Sequence, residues 1–315
     1  MSPRFAGIPP LFSLFSDIAD PSHSHTNPTV ASLIIAFSIA LTSGGLWVKT
    51  HTYVTQPSVR FKYDMLLVFE TTNGPGTERV WSTFDSVNYL MGNKLAPVDI
   101  SASEQDVNSD GKVDLIDIKA VVRGVGDVNG VKALMAFDYS LGGRVDLVMN
   151  SMAYAAHSSP LAGSGLYVDG YLRLDQRDAI PAGFTRHDYN YSVFPFAEHG
   201  EAKGDTRHAS TLRLPVVLNQ YNFRNESTYL DAKTPVWESG NSPDFTFQAR
   251  VRIPTSQQVL YRPTTLEIWK FAWVQILAIY IIFWWIFTKF EYVVFHHRIV
   301  DTRVVSDLQA KSHRF

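Results

Sequence analysis

The chain has 315 residues, of which 45% are apolar and 18% are charged, and its formal net charge is -2. This composition indicates one or two folded domains and excludes a disordered chain or a strongly basic nucleic-acid-binding protein. The chain contains no cysteine, which excludes a disulfide framework, a thiolate metal site and a cysteine nucleophile.

Two uncharged apolar segments predict transmembrane helices, because each is long enough to cross a bilayer of about 30 Å. The first covers residues 29–48. The second uncharged run lies between Lys270 and Lys289, is rich in tryptophan, and places a helix at residues 269–288. A cleaved signal peptide is the competing interpretation of the first segment. Its preceding residues are poor in basic side chains, which favours a retained anchor.

Both predicted helices carry residues suited to contacts within the bilayer. Ser32, Ala36 and Ala40 form a small-residue face at four-residue intervals that can pack against another helix, either the second span or another protein. Gln275 is the most polar residue of the second span and can hydrogen-bond a partner helix, unless water reaches it from the membrane interface.

Basic residues in the C-terminal tail predict that this tail is cytoplasmic, and two spans then place the N-terminus in the cytoplasm as well. The tails are residues 1–28 and 289–315, and residues 49–268 form an extracellular or lumenal domain. The glycosylation sequons at Asn190 and Asn225 both fall in this domain, in agreement with the charge rule.

The domain between the spans is predicted to be an antiparallel β-sandwich, so that the fold class is membrane-anchored all-β. Short runs of β-branched and aromatic residues are separated by Gly, Pro, Asn and Asp without helical periodicity. The runs are residues 59–70, 131–141, 144–155, 166–174, 211–218 and 245–253. The glycine-rich, charged stretch 198–208 is predicted to be a surface loop.

The string DVNSDGKVDLID at residues 106–117 has the spacing of a calcium-binding loop, with a glycine at the sixth position. The candidate ligands are Asp106, Asn108, Asp110, Asp114 and the carbonyl of Lys112, with Asp117 a weaker candidate. The residues before and after the loop lack helical character, which excludes a helix-loop-helix EF-hand. A β-flanked calcium loop with a structural role and a solvated polar turn both remain consistent with this string.

No catalytic motif is present, and we expect a protein that is not an enzyme. One alternative is a cell-surface receptor or adhesion module with a calcium-stabilised β-sandwich. A membrane-anchored hydrolase is a further alternative, and it would need a cleft with converging acid and base groups.

Ordered motifs along the chain resemble those of the transmembrane protein 231 family. The motifs are QPSVRF (56–61), VWSTFDSVNYLMGNKL (80–95), DVNSDGKVD (106–114), VMNSMAY (148–154), LYVDGYLRL (166–174), NYS (190–192), RNES (224–227), TPVWESG (234–240) and KFAWVQILAIYIIFWWIF (270–287). The similarity extends from about Leu46 to Val300.

The resemblance implies a structural membrane component of the ciliary transition zone. Such a protein would be needed for ciliogenesis and for the diffusion barrier that controls the membrane proteins of the cilium. The partners it implies are other transition-zone membrane proteins, members of the Meckel syndrome complex and tectonic-type proteins. It implies no cofactor beyond the possible calcium ion, and the family pattern has no acid that matches Asp117.

Overall fold

The structure is a computed structural model that describes residues 28–44, 48–72, 76–194, 214–297 and 299. The chain divides into two compact units. One contains the apolar helices near the two chain ends, and the other is the β-rich domain formed by residues 50–264. The predicted surface loop at 198–208 and most of the predicted tails lie outside the described residues.

The helices of the described chain are α1 (Pro28–Thr42), α2 (Asp85–Met91), α3 (Leu214–Asn222) and α4 (Thr265–His296). The prediction of a strand at 211–218 is wrong, because Leu214 begins α3. Val217 and Tyr221, four residues apart, are the buried positions of this helix, and such spacing places them on one face. The β-branched pair at Val216 and Val217 favoured a strand, whereas Pro215 is tolerated in the first helical turn.

The strands are β1 (His51–Thr55), β2 (Ser58–Thr71), β3 (Arg79–Ser82), β4 (Val98–Gln105), β5 (Leu115–Val122), β6 (Val128–Leu141), β7 (Asp146–Gln176), β8 (Ile180–Pro181), β9 (Thr185–Arg186), β10 (Glu226–Ala232), β11 (Val236–Ser239), β12 (Phe245–Arg252) and β13 (Gln257–Arg262). The domain is therefore mostly β-structure, as predicted.

Ten strands form one nearly closed sheet rather than a purely antiparallel sandwich. Its main path runs β3-β2-β6-β7-β12-β5-β4, and β9, β10 and β11 also pair with β7. β12 and β9 run parallel to β7, so the sheet is mixed. The parallel pairs involve strands distant in the sequence, and a residue pattern does not specify which distant strands will pair.

The continuous strand β7 organises the sheet. It covers 31 residues, and the predicted runs at 144–155 and 166–174 belong to it. Its first part pairs with β6, whereas its second part pairs with β12 and with β10 and β11. Gly170 lies so close to β10 that an added Cβ atom would be 2.8 Å from the Asp231 carbonyl oxygen. A residue with a side chain at this position would push the two strands apart.

The sheet encloses one large apolar core, to which both halves of β7 contribute. Alternating residues of the strands point inward, as along β12, where Phe245, Phe247, Ala249 and Val251 are fully buried. A second, smaller cluster lies on the other face of β2 and β6 and is covered by α2 and α3. β2 is therefore apolar on both of its faces, as expected for a strand covered on two sides.

A separate three-stranded sheet, β1-β13-β8, contains the two ends of the domain. β1 and β13 are antiparallel, and His51 pairs with Tyr261. The Tyr53 and Tyr261 rings meet edge to face at 5.4 Å between centroids, and Arg144 Nη1 donates a hydrogen bond of 3.0 Å to the Tyr261 hydroxyl. The points where the chain enters and leaves the domain thus lie side by side.

The apolar helices of the other unit pack against each other. α4 is the helix of the described chain that is long and apolar enough to cross a membrane, and it extends beyond the predicted 269–288 at both ends. α1 has 15 residues, or about 22 Å. It ends at Thr42 rather than at residue 48, because Gly44, with a φ of 70°, forms the turn that follows.

Candidate functional site

The acidic loop lies between β4 and β5, and its carboxylates accept hydrogen bonds from the loop's own backbone. Asp106 accepts from the amides of Asp110 (3.2 Å) and Gly111 (2.8 Å), and Asp114 accepts from those of Val107 (3.0 Å) and Asn108 (3.2 Å). Asn108 and Asp110 form Asx turns, because their side-chain oxygens accept from the amides two residues further on, those of Asp110 (2.9 Å) and Lys112 (2.8 Å). The loop is therefore ordered by its aspartates, and the predicted β-flanked setting is correct.

The same loop is joined to the segment that leads into β2. Gln56 Nε2 donates to Asp114 Oδ1 at 2.8 Å, and Lys112 Nζ donates to the Gln56 carbonyl oxygen at 2.9 Å. Nearby, the amide of Phe61 donates to Glu104 Oε1 at 2.8 Å. Among the described strands β4 pairs with β5 alone, so the Phe61–Glu104 bond joins β2 to β4 where backbone pairing does not, and the Gln56 bonds attach the loop to the start of β2.

The side-chain oxygens predicted as calcium ligands thus accept hydrogen bonds from backbone amides. Within the described residues, no group of three or more acidic or histidine side chains is placed to hold a metal ion. An ion at Asp106, Asn108, Asp110, Lys112 and Asp114 would have to compete with these amides for the carboxylate oxygens. Calcium binding at this loop stays a prediction.

Asp117 lies in β5 and takes part in a different interaction. Its carboxylate accepts hydrogen bonds from Gln248 Nε2 at 3.0 and 3.2 Å and from Arg250 Nη2 at 3.2 Å, both on the neighbouring β12. The twelfth position of the motif therefore bridges two strands instead of facing the loop.

The two sequon asparagines belong to segments that contact each other. The hydroxyl of Tyr189, next to Asn190, accepts a hydrogen bond of 3.0 Å from the amide of Asn225. The segment before Asn190 is also attached to β7, where the Asn150 amide donates to the Tyr189 carbonyl oxygen at 2.9 Å. Asn190 and Asn225 are both exposed. The fold thus brings together two sequons that are far apart in the sequence.

A buried arginine next to the second sequon was not predicted from the sequence. Arg224 is 6% exposed, and its guanidinium lies over the rings of Tyr189 (5.2 Å), Tyr191 (4.7 Å) and Tyr221 (4.9 Å). Its Nη1 atom donates a hydrogen bond of 2.7 Å to the Asn150 carbonyl oxygen. Three aromatic faces and one carbonyl oxygen compensate for part of the lost hydration of this cation.

Polar side chains in this region satisfy backbone groups of β7. The Met152 amide donates to the hydroxyls of Tyr221 (3.0 Å) and Thr228 (3.2 Å), and the Thr228 hydroxyl donates to the Met152 carbonyl oxygen at 2.9 Å. We call Asn150, Met152, Tyr189, Tyr191, Tyr221, Arg224 and Thr228 the Arg224 cluster. Its hydrogen bonds satisfy backbone N–H and C=O groups of β7 that a neighbouring strand would otherwise pair.

The next residue of the sequon, Glu226, is buried and paired with Arg186. Its side chain is 1% exposed, and its Oε1 atom accepts a hydrogen bond of 2.7 Å from Arg186 Nη1. Its other carboxylate oxygen has no hydrogen-bond partner in the described structure. Burial raises the pKa of Glu226, although Arg186 opposes that shift. This ion pair is the most deeply buried one among those of the described residues for which exposure is given.

The helix pair confirms the predicted small-residue face, because Ser32, Ala36 and Ala40 are each 0% exposed. The Ser32 hydroxyl donates to the Thr29 carbonyl oxygen at 2.9 Å, so its polarity is satisfied within α1. Small side chains allow close approach of helix backbones, which is the usual basis of helix packing in lipid. On α4, Gln275 is partly buried.

An apolar helix of membrane-spanning length, its packed partner helix and a β-rich domain between them in sequence are features expected of a transmembrane protein. The family model described as Transmembrane protein 231 matches residues 27–304. A Xenopus tropicalis Transmembrane protein 231 is 35% identical, with 84% of this chain and 83% of that protein covered. A Homo sapiens Transmembrane protein 231 is 34% identical, with 93% and 94% covered. The chain belongs to the transmembrane protein 231 family.

Among solved structures, a proton-activated chloride channel is similar over 87% of this chain and 95% of the channel chain. Its sequence is 8% identical and its TM-score is 0.24. A similarity at this level carries no argument about fold or function.

Proposed function

We propose that this chain is a structural membrane component of the ciliary transition zone, needed for ciliogenesis and for the barrier that controls the membrane proteins of the cilium. The observation that carries the proposal is family membership over residues 27–304. The role is non-enzymatic. The partners would be other transition-zone membrane proteins, members of the Meckel syndrome complex and tectonic-type proteins.

The proposed topology has two spans, with both termini in the cytoplasm and the β-domain on the extracellular or lumenal side. It is supported by the packing of α1 against α4 and by the basic tail that follows α4. The exposure of Asn190 and Asn225 is compatible with glycan attachment on that side. A span that includes α1 requires residues beyond its 15 helical ones, because these reach only about 22 Å.

The β-domain would act as a binding module at the membrane surface rather than as a catalyst. Its strands enclose a packed core, and its ion pairs link neighbouring strands, as Arg252 and Asp169 do at 2.7 Å between β12 and β7. A rigid domain whose two ends lie side by side is suited to holding contacts at a fixed place near the membrane.

The proposal is tested with a tagged full-length copy in ciliated cells that lack their own. The expected result is a band at the ciliary base, restored cilia, and mobility that shifts after glycosidase treatment. The double variant Asn190→Gln, Asn225→Gln is the matched control, and its mobility should not shift. Uniform surface staining without rescue would contradict the transition-zone role, and an unshifted wild type would contradict the outward domain.

The contribution of the β-domain is tested by replacing residues 50–264 with a short Gly-Ser linker. A short linker suffices because His51 and Tyr261 are paired, so the deletion need not separate the helices. Loss of the band at the ciliary base, with the helix pair still membrane-inserted, is expected if the domain makes the required contacts. Normal localisation and a normal barrier would contradict a role for the domain.

A further inference from the structure

We propose that the exposed ring of Phe223 is a binding surface for the first N-acetylglucosamine of a glycan on Asn225. The sugar covers an aromatic face that otherwise lies in water, and the contact stabilises the folded domain. This inference rests on the outward placement of the β-domain included in the proposed function. It adds a residue to the second sequon and gives the glycan a structural role that the sequon alone does not assign.

Phe223 stands two residues before the sequon asparagine, in the string FRNES at 223–227. It directly follows α3, whose buried residues are Val217 and Tyr221. Phe223 itself is 72% exposed. Contact between a large aromatic side chain and water is unfavourable, so a group that covers the ring stabilises the folded chain. The ring is therefore apolar surface that the packing of α3 does not use.

Asn225 and Phe223 both face outward from the same short segment. Arg224 and Glu226 are buried, with 6% and 1% exposure, whereas Asn225 between them is exposed. This alternation directs the asparagine side chain away from the core. Phe223, on the other side of Arg224, is exposed as well. Two residues along the chain span at most about 7 Å between their Cα atoms, so a sugar on Asn225 is within reach of the ring.

The backbone that joins the ring to the asparagine is held by hydrogen bonds on both sides. The Phe223 amide donates to the Asn219 carbonyl oxygen at 3.1 Å, which continues the bonding of α3 by one residue. The Asn225 amide donates to the Tyr189 hydroxyl at 3.0 Å, and its carbonyl oxygen accepts from the Arg177 amide at 2.9 Å. A backbone that is already fixed lowers the entropy cost of forming a new contact.

N-acetylglucosamine suits this surface because one face of its ring consists mainly of C–H groups. These groups carry small positive partial charges, whereas the face of a phenyl ring is negative, so the two faces attract each other. Stacking also removes both apolar faces from water. The covalent bond to Asn225 determines the occupant, because it keeps the sugar at a high effective concentration beside the ring.

The other sequon has no phenylalanine at the same spacing. The residue two positions before Asn190 is Asp188, whose side chain is 59% exposed. A hydrated carboxylate offers no apolar face to a sugar. The rings of Tyr189 and Tyr191, on either side of Asn190, lie against the guanidinium of Arg224. A glycan on Asn190 is therefore a control within the same chain.

The contact is tested by a double-mutant cycle on the full chain. The protein is produced in cells that add only oligomannose glycans, and an endoglycosidase then leaves one N-acetylglucosamine on each asparagine. Urea denaturation in detergent compares the wild type, Phe223→Ser, Asn225→Gln and the double variant. Any effect of Phe223 on the bare protein cancels in the cycle. The coupling should favour the folded state roughly two- to tenfold, the range of aromatic contacts.

Asn190→Gln provides the matched control. The same cycle with Asn190→Gln in place of Asn225→Gln should show no coupling to Phe223, because Asp188 occupies the corresponding position there. Absence of coupling at Asn225 would overturn the inference. Equal coupling at both asparagines would overturn it as well, since the effect would then not depend on a ring two residues away.

A second measurement leaves the glycan in place and does not depend on stability. In proton spectra of the trimmed protein, an aromatic ring stacked on the sugar should move the sugar signals of Asn225 upfield. The shift should disappear in Phe223→Ser and persist in Phe223→Tyr, which retains the ring. Unshifted sugar signals in the wild type would overturn the inference.

Mass spectrometry of the two sequon peptides separates this inference from the topology on which it rests. Both asparagines are expected to carry a glycan. A glycan on Asn190 with a bare Asn225 would overturn the inference alone. Bare asparagines at both positions would overturn the inference and the outward placement together. Two occupied sites without coupling to Phe223 would overturn the contact and leave the proposed topology intact.

Discussion

The acidic loop and the Arg224 cluster are both polar and both carry charged side chains, yet they differ in what their charges do. In the loop, exposed aspartates order the backbone of a few neighbouring residues, as Asp106 does for Asp110 and Gly111. In the cluster, one arginine with 6% exposure joins segments 74 residues apart, since it bonds the Asn150 carbonyl oxygen. A conspicuous sequence motif can thus order only its neighbouring residues, whereas a network that joins distant segments leaves no motif in the sequence.

The difference in burial between the loop and the Arg224 cluster has an energetic consequence. An exposed hydrogen bond exchanges with water at little net cost, whereas a buried polar group that loses its partner bears the full cost of desolvation. We therefore expect substitutions near the Arg224 cluster to reduce the stability of the whole domain, and substitutions in the loop to act locally.

The largest effect is expected for Arg186→Gln, which leaves the buried carboxylate of Glu226 without its cation. The expected loss is about 3 kcal/mol in the free energy of unfolding at pH 7. It is measured by urea denaturation of the full chain in detergent. Arg173→Gln is the control, because its pair with Asp231 is 44% and 33% exposed, and it should cost under about 1 kcal/mol.

The same variant has a predicted pH dependence. Burial already raises the pKa of Glu226, and loss of Arg186 removes an effect that lowers it. The folded state then binds a proton more tightly than the unfolded state, so stability is retained at low pH and lost as the pH rises through the folded pKa. The deficit relative to wild type should be smaller at pH 5 than at pH 7. An equal deficit at both values would argue against a buried carboxylate as its cause.

For Arg224→Met we expect a loss of about 2 kcal/mol, because the buried Asn150 carbonyl oxygen is left without its donor. The variant keeps much of the apolar stem but also removes the cation from three tyrosine rings. Arg123→Met serves as the comparison, because the Arg123 side chain is 69% exposed in its pair with Asp99. If both variants unfold at the same urea concentration, the cluster has no special part in stability.

A smaller and more local effect is expected for Asp114→Asn. The neutral amide is a weaker acceptor for the amides of Val107 and Asn108, and the expected loss is about 1 kcal/mol. Hydrogen exchange should speed up at residues 106–113 and remain unchanged in β12. Faster exchange throughout the sheet would show that the loop holds the closure between β2 and β4 and is not merely local.

The smallest effect is expected from calcium, because the loop is already ordered by its own amides. We expect millimolar calcium to raise the melting temperature of the wild type by a few degrees, in the affinity range of weak extracellular sites. Asp106→Asn should abolish this rise. Asp117→Asn should retain it, because Asp117 bonds Gln248 and Arg250 outside the loop. A wild type that does not respond would leave a solvated polar turn as the correct interpretation of the motif.

The sequence was sufficient to predict structure where the pattern of residues lies within one segment. Alternating apolar residues predicted the strand at 245–253, and the uncharged run before Lys289 predicted the long helix. The four-residue spacing of Ser32, Ala36 and Ala40 predicted a packing face, and all three residues are buried. Each of these predictions follows from the pattern of residues within one segment, which a sequence displays directly.

The sequence was insufficient to predict structure that depends on contacts between distant segments. The valines near 216 favoured a strand, but burial of Val217 and Tyr221 against the outer face of the sheet is realised by a helix. The parallel pairing of β7 with β12 and the position of Arg224 depend on contacts between remote segments. Nothing in the spacing of the tyrosines at 189, 191 and 221 indicated one common cation.

The pairing of β1 with β13 also has a mechanical consequence. The segments that lead to α1 and α4 leave the two strands at the same end, beside the His51–Tyr261 pair. In the proposed two-span topology, a force that drew the two helices apart would load that pair first. When antiparallel strands are pulled apart from one end, their hydrogen bonds break one pair at a time. The bonds do not share the load, as they would if the strands were pulled in shear. Lateral tension would thus release the base of the domain at low force while the large core stays folded.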